Sequence, residues 1–155
     1  MGVFGNKIGK AKVTGGGEYF DKVGNFVVEI EVVKAIETQE KGPMFCAETI
    51  VVQSDNDEIP VGARRSYCSL ANAKWGPANI KEFVVAANGL NAHEPKDEKA
   101  IDAKDWDAIT EEAISETNPL KGDKLLIVVY SKKTKAGTMG TRTKCLPYTK
   151  KEVTK

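Results

Sequence analysis

Histidine is nearly absent from this sequence: His93 is the single one in 155 residues. It lies in a charged linker, where a solvated loop residue is expected, so no Cys–His or Ser–His pairing has local support for nucleophilic catalysis. Cysteine is scarce as well. Cys46, Cys68 and Cys145 are odd in number and widely separated, which gives neither a disulfide framework nor a zinc-ligand spacing. Three reduced thiols, and with them a reducing cytoplasm, are expected. Long apolar runs are missing too. None approaches the ~20 residues of a membrane helix, and the opening "MGVFGNKIGKAKVTGGGEYF" has no continuous apolar segment of the kind a signal peptide carries. Its glycines do not make a phosphate loop, because "GNKIGK" is too short and Ala11 stands where Ser or Thr would bind magnesium. Asn6 replaces the Ser or Thr usual in a myristoylation start. Asp55, Asn56, Asp57 and Glu58 lack the Gly and the terminal Glu of a calcium loop. The expectation is a protein that is not an enzyme, holds no metal or cofactor and does not enter a membrane.

Net charge is also small, +1 from 23 Lys/Arg and 22 Asp/Glu. The charge is segregated, however. From Lys121 to Lys155 there are ten basic residues against two acidic ones, and from Ala92 to Pro119 nine acidic against three basic. A basic end beside an acidic insert points to a polyanion-binding surface with something acidic nearby.

The hydrophobic pattern predicts one domain over residues 1–155, with residues 1–16 a flexible lead-in and 149–155 a frayed tail. "GEYF" is a short strand signal. "NFVVEIEVVKAIET", "MFCAETIVVQS" and "IPVGARRSYCSL" read as three longer strands rich in Val and Ile, separated by the turns "EKGP" and "SDND". In the first, Val28, Ile30 and Val32 alternate with Glu29, Glu31 and Val33; in the third, Gly62 is a bulge or bend. The period then changes. "KWGPANIKEFVVAANGL" has Gly76 and Pro77 at a helix start, Gly89 at its stop, and Ile80, Phe83, Val84 and Ala87 on one stripe. Residues 92–119 form the acidic insert: a charged linker, "AHEPKDEKAIDAKD", then a helix, "DWDAITEEAISET", capped by Asp105 and ended at Asn118-Pro119. "DKLLIVVYSKK", the turn "TKAGTMG" and "TRTKCLPY" make a closing hairpin. The class is therefore mainly β with helices. Five strands with a helix between the third and fourth follow the order of an OB-fold, a small Greek-key barrel; a mixed α+β sandwich would read much the same.

Positive charge interleaved with aromatics is the constellation that carries chemistry. Arg64, Arg65 and Tyr67 lie on the third strand, Lys74 and Trp75 in the next loop, and Tyr130 before a hairpin bearing Lys132, Lys133, Lys135, Arg142 and Lys144. Cations track phosphates and flat rings stack on bases that lack a partner strand. In an OB-fold the binding face lies on strands 2 and 3, flanked by the loops after strands 1 and 4, here "QEKGP" and "TKAGTMG". Each feature has a plainer reading: hairpin lysines also block edge-to-edge pairing, the aromatics also serve a core, and Trp75 also fits as a staple on the following helix. The insert acids are expected to face away from phosphates, or to cover the basic face only while nucleic acid is absent, with Trp106 and Ile109 holding their helix to the barrel.

The order of "GNFVVEIEVVKAIETQEKG", "ANAKWGPANIKEF..AANG" and "NPLKGDKLLIVVYSKKTKAGT" leading to "LPY" resembles small bacteriophage single-stranded-DNA-binding proteins with an OB-fold, over about Gly17 to Tyr148. The resemblance implies sequence-tolerant, cooperative coating of single strands during phage DNA replication or recombination, in the host cytoplasm. It also implies replication or recombination proteins as partners, for which the acidic insert is the candidate surface, and it leaves homo-oligomerisation open. The chain departs from the acidic C-terminal tail of many such proteins, ending in "TKKEVTK". The competing function is a structural or adaptor protein, in a virion or replisome, that uses a small barrel for protein contacts. An RNA-binding cold-shock-like module lacks its aromatic signature here.

Overall fold

A computed structural model describes residues 18–133 and 135–148. The predicted lead-in, residues 1–16, and the predicted tail, residues 149–155, lie outside the described residues. The elements are β1 (Glu18–Tyr19), β2 (Gly24–Thr38), β3 (Gly42–Ser54), β4 (Arg64–Leu70), α1 (Gly76–Ala87), a 3-10 turn (Pro95–Asp97), α2 (Glu98–Asp102), α3 (Trp106–Ala113), β5 (Lys124–Lys133) and β6 (Met139–Pro147). They form a mainly β fold around one sheet of order β1-β4-β3-β2-β5-β6. All pairings are antiparallel except the two-residue β1 on β4. The sheet is open among the described residues: β4 and β6 do not pair, and α1 packs against both.

The long strand β2 is the spine. Phe26, Val28, Ile30 and Val33 are buried in the main core with Phe45, Ala47 and Val51 of β3 and Leu125, Ile127 and Val129 of β5. The expected alternation breaks at Glu31. Ile30 pairs with Thr49 and Val32 with Glu48, so Glu31 is an extra residue in a bulge and the phase shifts. Val33, and not Val32, therefore continues the core face. Beyond the bulge, Asn118 takes the place of a neighbouring strand. Its amide accepts from the Val33 N–H at 2.8 Å and donates to the Val33 carbonyl at 2.6 Å, and it holds φ at 44° to do so.

Helix α1 covers the core. Phe83 meets Phe45 edge-on with ring centroids 5.6 Å apart and stacks on Tyr67 at 4.9 Å. Gly76 starts it because nothing larger fits: a Cβ there would lie 1.7 Å from the Leu70 carbonyl oxygen. The chain leaves through Gly89 at φ +86°, a left-handed position that favours glycine.

Three expectations need correction. The segment from Ile59 to Ala63 is a turn and not strand: the Gly62 N–H donates to the Val51 carbonyl at 2.8 Å, and strand pairing begins at Arg64. The charged linker is partly folded, because Ile101 buries and its carbonyl accepts the Trp106 indole N–H at 2.7 Å, which stabilises the turn and α2. Finally, Cys46 and Cys68 are not free thiols. They sit directly opposite each other on β3 and β4, Cα atoms 4.2 Å apart, and are joined as a disulfide; only Cys145 is free, and it is buried. A separation of 22 residues does not show such a pairing; the strand register does. The expected helix α3 forms with Asp105 capping the Ala108 N–H at 3.1 Å, and Trp106 and Ile109 pack on the core as anticipated, but it ends at Ala113 and not at Asn118-Pro119. Among the described residues, no helix is long and apolar enough to cross a membrane.

Candidate functional site

The β5–β6 hairpin presents its charge in register. Val128 pairs with Lys144, Tyr130 with Arg142, Lys132 with Gly140 and Lys133 with Met139. Lys132, Lys133, Lys135 and Arg142 are exposed and Lys144 is half-buried. Among the described residues none of these five has a carboxylate within ion-pair distance. The body of the sheet is different. There Lys34 pairs with Glu48 at 2.7 Å, Arg64 with Glu31 at 3.0 Å and Lys124 with Glu29 at 3.8 Å. These three cations are neutralised locally; among the described residues, the five hairpin cations are not.

The loop before α1 lies near the same hairpin. Lys74 is exposed and Trp75 is 65% exposed. Trp75 occupies the N-cap position of α1, and its carbonyl accepts from the Asn79 N–H at 3.1 Å. One helical turn thus puts Trp75 and Asn79 along a line, and together with Arg142 and Thr143 they line a 420 Å³ cavity. A second cavity of 750 Å³ shares Asn79, Arg142 and Thr143 and adds Tyr130, Lys81, Glu82 and His93, then Glu94, Glu98 and Asp102 of the insert. The two describe one cleft between α1, the start of the insert and the hairpin.

The structure brings together Trp75, Tyr130 and Arg142, with Lys74 and the hairpin lysines nearby along the chain. It does not bring the third-strand residues with them as expected. Successive residues of β4 point to opposite faces. Tyr67 goes into the core, 7% exposed, stacked on Phe83 and with its hydroxyl donating to the Asn79 carbonyl at 3.3 Å. Its expected role as an exposed stacking ring is therefore corrected. Burial, with the Cys145 thiol and Glu82 adding to it, pushes its phenol far above the ordinary range. Cys145 is likewise raised, mainly by burial. Arg64 lies on the opposite face in its ion pair with Glu31. Arg65 is half-buried and donates to the Arg64 carbonyl at 3.0 Å.

The acidic insert divides. Glu94, Glu98 and Asp102 line the cleft that holds Tyr130 and Arg142. Glu116 lines a different groove beside β2, and Glu112 accepts from the Thr117 hydroxyl at 3.1 Å. His93 is not merely a solvated loop residue: its Nε2 contacts the Glu82 carboxylate, and its N–H donates to the Asn91 side chain at 2.8 Å. Sequence reasoning missed Asn79, Lys81, Glu82 and Thr143. The spacing Trp75, Asn79, Glu82 on a predicted helix was the available signal for the first half of the cleft. No family model matches the chain, and no curated protein sequence is significantly similar to it.

Proposed function

We propose that this chain is a non-enzymatic, sequence-tolerant single-stranded-DNA-binding protein. The observation that carries the reading is the contrast in charge pairing: Lys74, Lys132, Lys133, Lys135 and Arg142 have no carboxylate partner among the described residues, while Lys34, Arg64 and Lys124 in the body of the sheet do. Two exposed rings, Trp75 at 65% and Tyr130 at 38%, lie beside them. Unpaired cations supply phosphate contacts, and exposed rings supply stacking that any base satisfies. The strand order β4-β3-β2-β5-β6, with α1 between β4 and β5, supports an OB-fold-like barrel. The contacts then come from the β5–β6 hairpin and the loop before α1, not from the face of β3 and β4. A role in protecting strands during phage replication or recombination, in the host cytoplasm, rests on the family resemblance alone.

Fluorescence anisotropy with labelled oligo(dT) and with blunt duplex, at low and moderate salt, tests the reading. Tight binding to the single strand and poor binding to duplex are expected. Equal affinities would remove the stacking component, and no binding to either would leave the adaptor function as the better account.

A further inference from the structure

The cleft has a lining that backbone binding does not explain. Arg142 and Lys81 are its cations, yet Glu82, Glu94, Glu98 and Asp102 share the wall with them. Glu82 is engaged by His93; among the described residues, Glu94, Glu98 and Asp102 have no cation within ion-pair distance. Three carboxylates repel a phosphate. They are also not arranged around a metal: among the described residues no group of three His, Cys, Asp or Glu could hold one. A cationic peptide fits poorly as well, because Arg142 and Lys81 would oppose it. A neutral, flat group whose edge donates hydrogen bonds, joined to an anion that stays outside at the cations, fits every part of the lining. A nucleotide is such a group. The 750 Å³ volume lies within the ~300–1,000 Å³ of small-molecule sites.

We propose that this cleft takes one splayed nucleobase of the bound strand and favours bases carrying an exocyclic amino group, cytosine above all, over thymine or uracil. The inference rests on the single-strand-binding reading. Tyr130 offers its ring for stacking. Arg142, cross-strand from Tyr130, meets the phosphate at the mouth. The Asn79 side-chain amide, which makes no hydrogen bond among the described residues while its backbone groups bond Trp75 and Tyr67, reads the base edge from α1. The insert carboxylates accept from the amino group, the pairing that acidic side chains make with cytosine N4. A keto oxygen in the same place would face carboxylates and be rejected. The protein is then tolerant along most of its track and selective at one position.

The test compares dC20 with dU20, which differ only at that edge, by anisotropy at pH 8, where cytosine is neutral. For the unaltered protein dC20 is expected to bind about fivefold tighter or more. In the triple variant Glu94→Gln/Glu98→Gln/Asp102→Asn the ratio falls towards one, and Asn79→Ala reduces it as well. All four side chains are at least partly exposed, and thermal melting verifies that the variants fold. Equal binding of the two oligonucleotides by the unaltered protein overturns the inference and leaves the single-strand reading standing. So does a preference for dU20, or a dC20 preference that persists in the triple variant. Failure of both oligonucleotides to bind overturns the reading and the inference together.

Discussion

If the proposed function holds, neutralising hairpin cations should change the salt dependence of binding, and exposure and ion pairing select the cations to vary. Lys74, Lys132, Lys133, Lys135 and Arg142 are exposed with no carboxylate partner among the described residues. If about four of them each neutralise one phosphate, log K falls against log salt with a slope of roughly −3 for a single strand. Between about 50 and 200 mM salt that is a loss of about fifty-fold. The double variant Lys132→Ala/Lys135→Ala removes two such contacts, so its slope should be shallower by about 1.4 and its affinity lower for every sequence alike. Arg64 is the internal control. Its guanidinium is 3.0 Å from Glu31 on another face, so Arg64→Ala should leave the slope within error of the unaltered protein. Anisotropy titrations of labelled dT20 at four salt concentrations measure all three slopes. A flat response, or an Arg64→Ala slope reduced as much as that of the lysine pair, would refute the assignment of the hairpin as the phosphate track.

Some of this arrangement was legible in the sequence and some was not, and the division follows the range of the interactions. Helix α1 was legible because its period, its Gly76-Pro77 start and its Gly89 stop are all local. The strands from β2 to β6 were legible for the same reason, as was the unbalanced charge of the hairpin. The bulge at Glu31 was not, since an inserted residue is defined only by what lies on the partner strand. That one residue decides whether Val32 or Val33 is core. The fate of Tyr67 followed from α1, whose Phe83 takes its ring; from β4 alone, a tyrosine between two arginines and a cysteine reads equally well as exposed. The cleft required α1 to meet β6 across the whole insert. No local pattern joins Asn79 to Thr143, and the same long-range closure sets acids of the insert beside Arg142.

Three further outcomes are expected. Trp75→Ala should weaken single-strand binding by the roughly 1–3 kcal/mol of one stacked base with little change in melting temperature, because the indole is 65% exposed; a lower melting temperature with unchanged binding would make Trp75 a helix staple. Asn118→Ala should destabilise the fold by about 1–3 kcal/mol in urea unfolding, because it strands the Val33 N–H and carbonyl that the amide now satisfies; a loss below measurement error would mean water replaces the clamp. Stability should also fall on the alkaline side, through Cys145 and Tyr67. Both groups are buried, and both are raised above their ordinary values chiefly by that burial. In the unfolded chain a thiol ionises near pH ~8.5 and a phenol near ~10. Below those values both states hold the same protons and pH has no effect through these groups. Above them the unfolded chain has lost protons that the folded chain keeps, so rising pH favours unfolding by up to about 1.4 kcal/mol per pH unit for each group. The slope should therefore appear near pH ~8.5 and steepen near ~10. Denaturant titrations from pH 7 to 11 read it directly, and Cys145→Ala should remove the earlier onset while leaving the later one. A stability that stays level to pH 11 would mean that neither group is sealed from water as the core packing requires.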